Sequence, residues 1–222
     1  MKLGLLLRKG GRIFVKFGCT IPFDIFTEQS LKDSGKLWEC FGSKEMLFEN
    51  LGKMLDVVEF STIWPETNEE KLYAAVLLCN RYGLFVTFHG TLEGVTEASD
   101  FFSPYILLFD SGVQCAYNIT VHPLNRAEDT ELILRKICEV ADKRGYPVQI
   151  TLENQRYTKG DVLDGGCGSV AEIVKKVHSK RLGICFDFGH QLSNVIKYGE
   201  NADRPDNDFF FTSETYSYTQ LV

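Results

Sequence analysis

The sequence predicts an α/β fold of the TIM (β/α)8 type, a parallel barrel of about seven strands that is incomplete at its C-terminal end. Three observations carry this. Apolar, β-branched runs alternate with helical stretches along most of the chain, as in successive βαβ units. Five of those runs end in a carboxylate or an imidazole: Glu59, His89, His122, Glu153 and Asp187. These residues recur every 30 to 34 positions, about one βα unit. A barrel builds its site from the C-terminal ends of successive strands, whereas a doubly wound sheet gathers its site residues at one crevice, so the regular recurrence favours the barrel.

The elements follow in order. IFVKFGCTIPF (13 to 23) is the first barrel strand, rich in β-branched and aromatic residues and stopped by Pro22. A helical stretch over 35 to 54 leads to VVEFSTIW (57 to 64), the second strand. The helix over 68 to 83 is signalled by Asn68 as its cap, acids in its first turn and Gly83 at its end. LFVTFHG (84 to 90) is the third strand, followed by a loop to about residue 103 and a helix in PYILLFDSGVQC. YNITVHP (117 to 123) is the fourth strand, the segment 128 to 145 a helix with acids at its start and Lys143 and Arg144 at its end, and VQITLEN (148 to 154) the fifth strand. The Gly-rich stretch 159 to 168 lacks the Lys-Ser/Thr pair of a phosphate loop and is expected to be a mobile loop after strand five. A helix over 169 to 180 then precedes strand six, LGICFDFGH.

A chain of 222 residues, 44% hydrophobic and 24% charged, can bury a large core, and it reads as one domain over 1–222, with residues 1–12 an N-terminal arm and 13–222 the barrel. The net charge of −6 argues against a protein that lives by binding nucleic-acid phosphates, so no nucleic-acid partner is expected. Seven cysteines with no CxxC pair sit mostly inside apolar runs (Cys79, Cys115, Cys138, Cys185) and read as small buried hydrophobes in a reducing, cytoplasmic setting. The patch before Arg8 and Lys9 is too short for a signal-peptide core, and no segment approaches the roughly 18 apolar residues of a membrane span. The sequon at Asn118 falls in a buried strand and is discounted.

The chemistry gathers at the strand ends. His89, His122 and His190 close strands, whereas His178 lies in the basic run KKVHSKR, a solvated helix face. Gly189 is expected to let the backbone turn so that Asp187 and His190 both aim inward. Converging buried carboxylates repel unless a cation or protons neutralise them, so Glu153 and Asp187 with the three histidines point to a shared divalent-metal site. Mixed carboxylate and imidazole ligation suits Zn or Mn, with Mg and Co as further candidates. Glu59 either contacts substrate or pairs with a neighbouring cation. Asn154 either orients Glu153 or bonds the backbone. Phe23 and Trp64 are read as packing residues rather than walls of a sugar pocket.

FHG at 88 to 90, VHP at 121 to 123, TLEN at 151 to 154 and DFGH at 187 to 190 resemble the xylose isomerase-like TIM barrels over about residues 14 to 198. That family includes sugar isomerases and epimerases of the tagatose 3-epimerase kind and the family IV apurinic endonucleases. The resemblance implies a divalent-metal-dependent sugar or sugar phosphate isomerase or epimerase, with a small-molecule carbohydrate substrate. It implies Glu153, Asp187 and His190 as metal ligands and Glu153 as the catalytic base. His89, His122 and Glu59 would bind substrate; in the endonuclease version the histidines would be zinc ligands. The implied reaction is proton transfer through an enediolate, the metal polarising the ketose oxygens.

The family pattern also has a ligand His on strand seven and a Glu on strand eight. Here the periodicity puts Tyr218, within ETYSYTQLV (214 to 222), at the His position, and no strand-eight Glu is evident. The alternative to an isomerase is therefore a truncated or degenerate, catalytically inactive member; a metal-dependent phosphodiesterase of the apurinic endonuclease kind is the third reading. An open barrel would leave backbone groups unpaired at the edge of strand one, a liability for aggregation or for pairing with a second chain as a homo-oligomer.

Overall fold

The computed structural model describes residues 2–9, 12–23, 42–156 and 166–190. They belong to two units, one holding residues up to Gly90 together with Phe102–Asn118, the other Thr91–Phe101 and the residues from Ile119 onward.

In the first unit the strands lie in chain order, β1-β2-β3-β4. β1 (Lys2–Lys9) is a correction to the sequence reading, which treats these residues as part of an arm. It pairs antiparallel with β2 (Arg12–Pro22), from Lys9 opposite Arg12 to Lys2 opposite Cys19. The edge of the first barrel strand, expected to be open, is therefore covered along Arg12–Cys19. β2 runs parallel to β3 (Val57–Ile63), which runs parallel to β4 (Phe85–Gly90). Val57 to Phe60 are buried without a break, as expected of a parallel strand covered on both faces. The β3–β4 register shifts between Phe60 and Ile63, and Thr62 there takes a left-handed φ of 62°, rare for a β-branched residue and typical of a strand end being re-aimed.

Helix α1 (Lys44–Met54) starts where Ser43 accepts the Met46 N–H, and α2 (Glu69–Arg81) where Asn68 accepts that of Lys71. Phe48 of α1 meets Phe60 of β3 edge-on in the core. After a 3-10 turn (Asp100–Tyr105), helix α3 (Ile106–Ser111) ends at Gly112, whose φ of 61° suits a residue without Cβ.

The second unit carries most of β5 (Asn118–Val121), then α4 (Ala127–Arg144), β6 (Gln149–Glu153), α5 (Cys167–Val177) and β7 (Leu182–Cys185), with strands again in chain order. β6 and β7 are parallel, with Glu153 opposite Cys185. Two arginines tie the layers together. Arg135 on α4 donates to the Lys176 and Val177 carbonyls at the end of α5. Arg181 binds Asp142 and the Tyr146 and Val148 carbonyls, joining the end of α4 to the starts of β6 and β7. The Asp142 carboxyl is held below the usual carboxylate range by that hydrogen bond.

Strand six of the sequence reading is shorter than expected. β7 stops at Cys185, and residues 188 to 190 are already helical. Residues 214 to 222, and so Tyr218, lie outside the described residues. So do 157 to 165, most of the Gly-rich loop. Cys19, Cys79, Cys115, Cys138 and Cys185 are free thiols, and burial pushes Cys115 up to about 11. Among the described residues no helix is long and apolar enough to cross a membrane.

Candidate metal and acid-base site

Of the six residues expected at the site, Glu59 and His89 belong to the first unit and His122, Glu153, Asp187 and His190 to the second. In the first, Glu59 on β3 is buried, and Thr20, its register partner on β2, donates a hydroxyl hydrogen bond to Oε1 at 2.9 Å. His89 at the end of β4 brings Nδ1 to 3.6 Å from the same oxygen. Thr87, opposite Glu59 on β4, buries a hydroxyl for which no hydrogen-bond partner exists among the described residues. Thr20 and Thr87 carry no motif, and only their register with Glu59 could have marked them.

The second group is richer in charge. Glu153 is the last residue of β6 and 6% exposed. His122, just past β5, lies with Nε2 3.8 Å from Glu153 Oε2. His190 lies with Nδ1 3.7 Å from Glu153 Oε1 and 3.9 Å from Asp187 Oδ2. The two imidazole rings are 5.9 Å apart, centre to centre.

Asp187 is placed by capping rather than by the glycine. Its Oδ1 accepts the His190 N–H at 2.7 Å, the bond of an N-cap residue to the third position of a helical turn. Gly189 is not among the glycines with left-handed φ. Asp187 therefore spends one carboxylate oxygen on the backbone and keeps Oδ2 for the site. Asn154, which is fully buried, bonds the backbone of Asp187 and leaves Glu153 alone: its Nδ2 donates to the Asp187 carbonyl at 3.0 Å and its Oδ1 accepts the Asp187 N–H at 2.7 Å.

The donor set suits a divalent ion. Glu153, Asp187 and His190 each offer a ligand atom, all within 4.8 Å of one another. Donors around one zinc-like ion at about 2.0–2.2 Å stand roughly 3.5 Å apart in a tetrahedral shell, so small side-chain rotations would close the group. Two carboxylates beside two imidazoles are hard and borderline ligands of the kind that Zn and Mn accept. A third feature lies apart. Phe23, Trp64, Leu77 and Leu78 line a groove of about 1190 Å³ along α2, and none of the six expected residues lines it. Phe23 also packs edge-on against Phe60, consistent with its reading as a packing residue.

Parallel strands alternating with helices, and bearing acids and imidazoles at their C-terminal ends, are the pattern of an α/β barrel. Solved structures specify it further. The chain is similar to D-psicose 3-epimerase from Clostridium cellulolyticum H10, solved with D-tagatose, at 14% identity and a TM-score of 0.52, covering 90% of this chain and 70% of that one. It is also similar to a D-psicose 3-epimerase solved in the presence of D-fructose, at 14% identity and a TM-score of 0.51, covering 73% of this chain and 61% of that one. The chain thus spans less than two thirds of the second structure. Among the described residues the fold is that of a TIM barrel of this kind, in an incomplete form. No protein-family model matches the sequence, and no curated protein matches it either.

Proposed function

We propose that this chain is a divalent-metal-dependent sugar or sugar phosphate isomerase or epimerase, built as one barrel domain and working in a reducing, cytoplasmic setting. The observation that carries the reading is the second group, where Glu153 and Asp187 are held side by side with His190 at adjoining strand ends. Glu153 and Asp187, with His190, would hold the metal. A divalent ion bound there would polarise the carbonyl and adjacent hydroxyl oxygens of a ketose.

The chain's own groups supply the rest. Glu153 sits at a strand end, nearly closed off from water, where a carboxylate can take the proton from the carbon beside the carbonyl. Glu153 can return that proton to the neighbouring carbon of the enediolate, giving the isomer, whereas the epimer requires a second acid on the opposite face. His122 is 40% exposed at the side chain and stands over Glu153, which suits a group that hydrogen-bonds a sugar hydroxyl. Glu59 and His89 would bind substrate in the same way through the first group. The ketohexoses in the two similar structures, D-tagatose and D-fructose, make free ketoses the first substrates to try.

The test is to strip metal from the purified protein, reload it with Mn, Co, Mg or Zn, and follow a panel of ketoses and ketose phosphates. Metal-dependent conversion is expected. Protein that holds no stoichiometric metal and converts nothing overturns the reading in favour of an inactive member, and nicking of abasic DNA would replace it with the endonuclease.

A further inference from the structure

The β6–β7 ladder ends at the Glu153–Cys185 pair, yet Asp187 stands two residues beyond that end. Past the last pair the strands part, so the backbone of Asp187 needs other partners to be held in place. Asn154 supplies them. Its carboxamide takes both the N–H and the C=O of Asp187, acting as one more rung of the ladder made from a side chain. Those two bonds also fix which end of the amide is oxygen, because the N–H can only donate and the carbonyl can only accept.

The same residue meets His190 through its backbone. The Asn154 carbonyl lies 2.9 Å from His190 Nδ1. A carbonyl only accepts, so Nδ1 must carry the proton and, in the neutral ring, the lone pair resides on Nε2. Nδ1 is nevertheless the nitrogen nearest the two carboxylates, at 3.7 and 3.9 Å. A histidine ligating through Nδ1 would have to give up the Asn154 bond.

We propose that Asn154 is the positioning residue of this site: its side chain fixes Asp187, and its carbonyl selects the Nδ1–H tautomer of His190, so that Nε2 is the nitrogen that meets a metal or a substrate hydroxyl. The proposal takes from the functional reading only that Asp187 and His190 belong to the site, and the tautomer exists whether or not the chain turns over a sugar. A ligating imidazole whose second nitrogen donates to a backbone carbonyl is a recurrent arrangement that orients the ring and raises its basicity.

The test has two arms. In metal-free protein at alkaline pH, where the ring is neutral, long-range proton–nitrogen NMR assigned by loss of signals in His190→Gln should show the proton on Nδ1. A proton on Nε2 overturns the proposal. In the second arm, Mn affinity is measured by calorimetry for wild type, Asn154→Ala and Thr151→Val. Thr151 lies on β6 and meets Thr120 through its hydroxyl at 3.0 Å, so its variant reports the cost of losing a buried polar contact without touching Asp187. Asn154→Ala should bind Mn about 10- to 100-fold more weakly while keeping the Nδ1–H tautomer, because the backbone carbonyl remains, and Thr151→Val should keep wild-type affinity and tautomer. Equal weakening in both variants, or none in Asn154→Ala, overturns the positioning role. If Asn154→Ala does not fold, Asn154→Asp, which keeps the acceptor for the Asp187 N–H, takes its place. Where the wild type binds no Mn, the functional reading fails and the tautomer alone decides this one.

Discussion

The two strand-end groups use the same kinds of residue in opposite charge balance. In the first unit one buried carboxylate, Glu59, is already served by a hydroxyl and approached by an imidazole. In the second, two carboxylates face two imidazoles. A single carboxylate with hydrogen-bond donors can stay buried as a polar binding group; a pair that shares a small volume needs a cation or a proton. Under the proposed function, the first group would serve substrate recognition and the second metal and proton handling.

Substitutions that swap the two roles would break this contrast. The largest effect is expected from Glu153→Gln, which should cost about 10²- to 10⁴-fold in kcat and remain unrescued at saturating Mn, measured as ketose turnover. Glu59→Gln should raise KM about tenfold and leave Mn affinity alone. If Glu59→Gln instead weakens Mn as Glu153→Gln does, the two groups are not distinct in role.

Smaller effects sharpen the second group. Asp187→Ala loses both a proposed ligand and a helix cap, so urea denaturation of metal-free protein should show a loss of about 1 kcal/mol. Asp187→Asn keeps the cap and should denature within about 0.5 kcal/mol of wild type while still binding metal poorly. The smallest effect is predicted far from the site. Arg181 depresses the Asp142 pKa, so this carboxylate adds stability above its unfolded pKa, and the gain is lost as pH falls through the folded one. Asp142→Asn should be less stable than wild type at pH 7 and converge with it in acid, measured by urea midpoints.

The barrel alternation and the polar residues at strand ends were legible because both rest on local chemistry, apolar runs and the polar residue that stops them. Glu59, His89, His122, Glu153 and Asp187 all stand at or just past strand ends, where the spacing puts them. What depended on register was not legible. Thr20 and Thr87 face Glu59 only because β2, β3 and β4 pair as they do, and the choice between two roles for Asn154 needed the point at which β6 and β7 part. The apolar run through Phe186 and Phe188 predicts a strand as far as His190; the capping bond from Asp187 outweighs that run and starts a helix. β1 does carry a local signal. Two apolar runs flank Gly10-Gly11, a pair suited to a two-residue hairpin connection, and Lys9 does pair with Arg12.

That hairpin decides what any attempt to complete the barrel must contend with. The hydrogen-bonding edge of β2 from Arg12 to Cys19 is already spoken for by β1, running in the opposite direction. Any strand laid parallel to β2 on that edge would compete with β1 for the same donors and acceptors, and β1 acts as the incumbent that such a strand must displace.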